Sequence, residues 1–232
     1  MEADIAENLR SVRMDIADSE LRSGRPVGSV ELLAVSKTHP PEAIRQAVEA
    51  GQLLFGENRV QEAKAKITDL PARLRWHLIG HLQSNKIRQA LPLFEMFHGV
   101  DSVDLVDEIQ RIAGELGLFP RVLLQVNVAG ESSKFGFAPE KLLSQVEQVS
   151  SADRLQVEGL MTIPPLAANP ENSRKYFVRL RELRDQLEKE FRFSLPHLSM
   201  GMSGDYRIAI EEGATFVRVG TAIFGERRAK RP

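Results

Sequence analysis

The sequence predicts a closed (β/α)8 TIM-like barrel with one extra helix in front. Two observations carry that reading. Short apolar runs alternate with longer amphipathic stretches eight times along the chain, a pattern that calls for parallel strands joined by right-handed crossovers. Eight such units within about 200 residues suit a closed barrel better than an open sheet. The 232 residues contain no linker or low-complexity stretch. One domain over 1–232 is therefore expected, with 1–24 as an N-terminal helix packed on the barrel and 226–232 as a basic, solvated tail.

Each element has its own justification. Ile5, Leu9, Val12 and Ile16 share one face of the opening helix. The run Glu31 to Lys37 reads as the first strand, because Thr38-His39-Pro40-Pro41 cannot continue it. The next helix has Pro41 near its first position and stops at Gly51. Leu53-Leu54-Phe55-Gly56 is the second strand and Trp76 to His81 the third, with helices over about 59–68 and 85–90. After the short strand Phe97 to Val100, Ser102 caps a helix bearing Leu105, Val106, Ile109 and Ile112. Arg121 to Val128 is the clearest strand, rich in β-branched residues and leucine, and its helix starts after Pro139. Val157 to Met161 is the sixth strand. Phe177, Leu180, Leu183 and Leu187 line the longest helix, and His197 to Met200 is a weak seventh strand. A short helix then stops at Gly213, and Thr215 to Val219 is the eighth strand.

Composition narrows the function. A net charge of −1 gives no global attraction to nucleic acid or to an anionic membrane. Without cysteine there is neither a disulfide framework nor thiolate chemistry. No run approaches the apolar length of a membrane span, and Met1-Glu2-Ala3-Asp4 is unlike a secretory leader. A cytoplasmic protein is expected.

In a barrel, the carboxyl ends of the strands gather at one mouth. Lys37 ends the first strand, Asn58 follows the second and His81 ends the third. Ser203 follows the seventh, and Arg218, Gly220 and Thr221 close the eighth. A strand-end lysine with an apolar stem loses its proton more readily than a solvated one and so can attack a carbonyl. The turns Ser199-Met200-Gly201-Met202-Ser203-Gly204-Asp205 and Val219-Gly220-Thr221-Ala222-Ile223-Phe224-Gly225 let backbone amides approach an anion, and the loops after strands seven and eight often hold phosphate in barrels. An amine, a phosphate cradle and an arginine between them fit pyridoxal 5′-phosphate: a Schiff base on Lys37, the phosphate on the turns, and Arg218 at the pyridine nitrogen. A permanently cationic arginine there keeps that nitrogen unprotonated and the ring a weak electron sink.

The runs Ala34-Val35-Ser36-Lys37, Phe55-Gly56-Glu57-Asn58, Trp76 to Lys86, Leu198 to Asp205 and Val217 to Gly225 resemble the pyridoxal phosphate homeostasis protein family over nearly the whole chain. The resemblance implies a fold-type III barrel similar to the N-terminal domain of alanine racemase, monomeric or weakly dimeric. It implies Lys37 as the lysine that bonds the cofactor, Ser203, Gly220 and Thr221 at the phosphate, Arg218 at the ring nitrogen, and Asn58 beside them. It also implies a carrier or regulator of the cofactor pool, with pyridoxal 5′-phosphate-dependent apo-enzymes as partners and no established turnover.

Competing readings stand beside these. A racemase-like enzyme would need a second acid/base group, yet the chain ends soon after the eighth strand and its tyrosines, Tyr176 and Tyr206, fall in or beside helices. A cofactor-free Schiff-base aldolase would use the same lysine. Arg218 alone could pair with Glu57 or Asp205. His77 and His81 have the spacing of a helical zinc pair, but on a strand they lie about 13 Å apart, which makes them structural or rim histidines. Lys134 is the rival amine, in a loop where lysines are usually solvated.

Overall fold

A computed structural model describes residues 4–131, 134–191 and 194–226. The expected basic tail falls largely outside the described residues. Eight parallel strands close on themselves in sequence order: β1 (Glu31–Val35), β2 (Leu54–Glu57), β3 (Arg75–Leu78), β4 (Met96–Val100), β5 (Arg121–Gln125), β6 (Gln156–Met161), β7 (His197–Met202) and β8 (Phe216–Val219). Closure is made by β1 against β8, with Leu33 opposite Arg218 and Ala34 opposite Val219. Between the strands run α2 (Pro41–Glu49), α3 (Val60–Ile67), α4 (Ile87–Ala90), α5 (Val103–Leu116), α6 (Pro139–Ser150), α7 (Arg174–Phe191) and α8 (Tyr206–Glu211), while α1 (Ile5–Arg22) precedes β1 and α9 (Thr221–Phe224) follows β8.

Local chemistry sets the helix ends. The Asp4 carboxylate accepts the Glu7 N–H at 3.0 Å to start α1, and Ser102 accepts the Leu105 N–H at 3.3 Å to start α5. Pro41 and Pro139 open α2 and α6, where their missing N–H costs nothing.

Strand alternation sorts the residues into two layers. Phe55, Leu78, Phe97 and Val219 face the helices and join the large outer core, whereas Leu33, Leu54, Met96, Leu123, Met161 and Phe216 fill the barrel itself. Phe55, Phe97 and Phe177 are fully enclosed, and truncating one of them to alanine is expected to cost about 3–5 kcal/mol. Helix α1 buries Ile5, Leu9, Val12 and Ile16. It is fastened to the far end of the chain by Asn8, which donates to the Ile223 carbonyl at 2.9 Å, and by Asp15, which accepts the Tyr206 hydroxyl at 2.8 Å.

Several strands stop earlier than their apolar runs suggest. β1 ends at Val35 and β3 at Leu78, so Lys37 and His81 stand two and three residues beyond their strands. β5 ends at Gln125, with only an isolated bridge from Val126 to Phe137 beyond it. Single backbone bonds continue just past these ends, from Ser36 to Gly56, Ile79 to Glu57 and Val126 to Met161, before the chain turns away. The 85–90 segment begins as a 3-10 turn over Ser84–Lys86 before α4.

Candidate functional site

Arg218 is a buried cation near the mouth. It lies on the inward face of β8 and is only 4% exposed. Its guanidinium donates from Nη1 to Ser199 Oγ at 2.6 Å and from Nη2 to the Thr162 carbonyl at 2.8 Å, not to Glu57 or Asp205. Ser199 continues to His98 Nδ1 at 2.9 Å, and His98 Nε2 meets His77 Nδ1 at 2.9 Å. A chain of hydrogen bonds therefore runs through the barrel from β8 to β3.

Burial decides the charges along it. It pushes Arg218 down to about 10, which still leaves a cation at neutral pH. Burial pushes His77 down to about 3, and burial, with the Arg218 cation nearby, holds His98 well below its usual value, so both rings are neutral. A guanidinium only donates. If the Ser199 proton points on to His98, each donor in turn faces away from the cation, and His77 Nε2 is left buried without a partner. Two bonds leave the five-donor fork of Arg218 with N–H groups to spare.

The two glycine turns are tied to each other. Ser203 Oγ accepts from the Gly220 N–H at 3.2 Å and the Ala222 N–H at 3.4 Å, so two amides already converge on one oxygen. Asp205 accepts the Met202 N–H at 2.8 Å and shapes the first turn. Gly201 is required there: its φ is +89°, and a Cβ would lie 2.6 Å from Ala209 Cβ. A Cβ on Gly220 would lie 3.4 Å from the Val35 carbonyl, which places the second turn against the end of β1. Thr221 is exposed at the start of α9. A cleft of about 370 Å³ opens beside Ser203 and Ala222, towards Asn8 and Asp15 of α1.

Lys37 is half-buried in the turn that leaves β1. The His39 ring stacks on Phe224 at 4.9 Å, which joins this turn to α9. Thr38 has φ +68°, a left-handed conformation that costs a β-branched residue about 1–3 kcal/mol. Asn58 is half-buried after β2. Gly80 packs so closely on its backbone that a Cβ would meet the Asn58 carbonyl at 2.4 Å.

The other candidates separate. His77 lies inside the barrel, whereas His81 sits on the rim, 2.7 Å from Asp101 and stacked on Phe135 at 4.2 Å. Lys134 is ion-paired with Glu131 at 2.6 Å in the loop after β5. Sequence reasoning missed Ser199, His98 and Thr162. The available signal was polar residues inside otherwise apolar strand runs, as in Phe97-His98-Gly99-Val100 and Leu198-Ser199-Met200.

Fold and site together define a class: a closed parallel barrel with a half-buried lysine in the turn after β1, two glycine turns joined through Ser203, and a buried arginine on β8. Comparison with known proteins narrows it. The model of the alanine racemase N-terminal domain matches residues 8–228. The pyridoxal phosphate homeostasis protein of Aquifex aeolicus is 47% identical, covering 96% of this chain and 98% of its own. That of Pseudomonas aeruginosa is also 47% identical, covering 96% of each. The structure of PipY from Synechococcus elongatus with PLP bound superposes with a TM-score of 0.83 at 46% identity, covering 95% of this chain and all of that one. Alanine racemase from Clostridium difficile, at 15% identity and a TM-score of 0.73 over 60% of its length, shares the fold. The chain belongs to the pyridoxal phosphate homeostasis protein family, within the alanine racemase N-terminal domain fold.

Proposed function

We propose that this protein binds pyridoxal 5′-phosphate reversibly and serves intracellular homeostasis of that cofactor by storing, buffering or delivering it. The observation that carries the proposal is the junction of the two turns through Ser203, with Gly220 laid against the strand that leads to Lys37. When bound, the cofactor would supply a phosphate dianion and an aldehyde that can condense with a primary amine, releasing one water. Lys37 provides the amine, and water returns when the Schiff base is undone. Ser203, Gly220 and Thr221 hold the phosphate through hydroxyl and backbone donors. Arg218 donates to the ring nitrogen from a fork fixed by Ser199 and Thr162, and Asn58 contacts the cofactor from β2. The residues fit the group: amides converge where an anion oxygen belongs, and among the described residues the buried cation has no carboxylate in its hydrogen-bond shell.

Storage is favoured over racemisation because Tyr206 is not available as a second base. Its hydroxyl is spent on Asp15, and burial with that carboxylate pushes it up to about 12. None of the described helices is long and apolar enough to cross a membrane. We read the protein as cytoplasmic, monomeric or weakly dimeric, and able to pass cofactor to apo-enzymes.

The test is an absorption spectrum of the purified protein with added pyridoxal 5′-phosphate, followed by borohydride reduction and mass spectrometry. A visible band that bleaches on reduction, with the adduct on Lys37, is expected. A colourless protein, or an adduct only on Lys134, overturns the reading.

A further inference from the structure

The backbone on both sides of Lys37 is held by one buried ion cluster. Lys66 reaches back from α3 and is 6% exposed. Its Nζ donates to the Ser36 carbonyl at 2.9 Å, to Glu57 Oε1 at 2.8 Å and to Glu62 Oε1 at 2.7 Å. An ammonium has three N–H groups, and all three are used. Glu57 Oε1 also accepts the Ser36 hydroxyl at 2.7 Å, and Glu62 Oε1 accepts the Thr38 N–H at 2.5 Å. Residues 36 and 38 are thus bound to the same cluster, and the residue between them is the lysine.

The cluster fits a positioning task better than simple packing. Thr38 keeps a positive φ, a conformation that persists only where the surroundings over-determine it; its N–H bond to Glu62 supplies that constraint. Glu57 is fully enclosed, and its Oε2 has no partner. Burial pushes this carboxyl up while Lys66 and Ser36 pull it down. A buried ion group of this kind is weak as a source of stability and is better explained by the geometry it imposes.

We propose that Lys66, acting through Glu57 and Glu62, is a positioning residue that fixes the turn around Lys37 and so aims its amine at the aldehyde. This rests on the function proposed above. The three donors of Lys66 are taken by Ser36, Glu57 and Glu62, which leaves none for aldehyde or phosphate. Its loss should therefore impair condensation while leaving the phosphate and ring contacts intact.

The experiment compares two ligands on wild type and Lys66→Met. Pyridoxal 5′-phosphate reports condensation through its visible band. Pyridoxine 5′-phosphate, an alcohol that cannot condense, reports non-covalent binding by calorimetry. In the variant the band should form at least about tenfold more slowly or more weakly, with pyridoxine 5′-phosphate affinity held within about twofold. Lys66→Arg should recover part of the rate. An unchanged band, or equal loss for both ligands, overturns the proposal. If Lys66→Met fails to fold by circular dichroism, Glu62→Ala carries the same test, since that side chain is already 26% exposed. A wild-type protein without a band would sink the proposed function and this inference together, whereas a wild-type band with an unaffected variant sinks this inference alone.

Discussion

The two ends of the barrel solve opposite problems with similar residues. At the amino-terminal end, Arg75 bridges Glu31 at 2.9 Å and Glu95 at 2.7 Å, while Arg121 bridges Glu95 at 2.9 Å and Glu158 at 2.7 Å. Each arginine lies between two carboxylates. Glu95 is held below the usual carboxylate range chiefly by its bonds to Arg75, and Arg121 is held up chiefly by Glu158. Near the mouth, Arg218 has only a hydroxyl and a carbonyl for hydrogen-bond partners among the described residues. A cation saturated by carboxylates has nothing to offer a ligand; one propped by neutral acceptors keeps its charge and its spare donors. This matches the general division of barrels into a stabilising bottom and a functional top.

The sharpest way to break that comparison is at Lys37. Lys37→Ala should abolish the visible band and the borohydride adduct while leaving the unfolding midpoint in urea unchanged. If a band survives, another amine does the work. Next in size, Arg121→Ala removes one link of the bottom ring and should cost about 1–3 kcal/mol of stability. Cofactor titration should be unaffected, and urea denaturation should show one cooperative transition if the chain is a single domain. A change in cofactor affinity would show that the two ends are coupled.

Ser199→Ala probes the join between them. It cuts the link from Arg218 to His98, should cost about 1–2 kcal/mol as a buried hydrogen bond is lost, and should weaken the cofactor titration about tenfold. The last probe is pH. His77 and His98 are buried neutral in the folded barrel but titrate near 6.5 when unfolded. The unfolded state therefore takes up protons first, and stability present above pH 6.5 declines as pH falls from there towards about 3. Urea midpoints at about pH 7 and about pH 5 should show that decline, and His98→Gln should flatten it.

The difference between the ends also explains what could be read in advance. The residues assigned to the mouth (Lys37, Asn58, Ser203, Arg218, Gly220 and Thr221) announce themselves as strand-end polar residues or glycine turns, because a functional end interrupts the apolar pattern. Glu31, Arg75, Glu95, Arg121 and Glu158 are just as strategic, yet on a linear chain they look like ordinary charged residues at the beginnings of strands. Lys66 and Glu62 are hidden still better: on α3 they resemble an exposed i, i+4 pair, and only the packing of α3 turns them under the Lys37 loop.

Periodicity and local capping, which act within a few residues, were enough for the eight βα units, for the helix starts at Pro41, Ser102 and Pro139, and for which strand ends carry polar side chains. Where each strand stops, that Ser203 joins two turns, and that Arg218 rests on Thr162 and on Ser199, which leads on to two neutral histidines, came from tertiary packing alone. Those outcomes depend on ring closure, which sets side chains from β3, β4, β7 and β8 against one another across the barrel interior. No local pattern encodes a contact between residues 101 positions apart, such as His98 and Ser199.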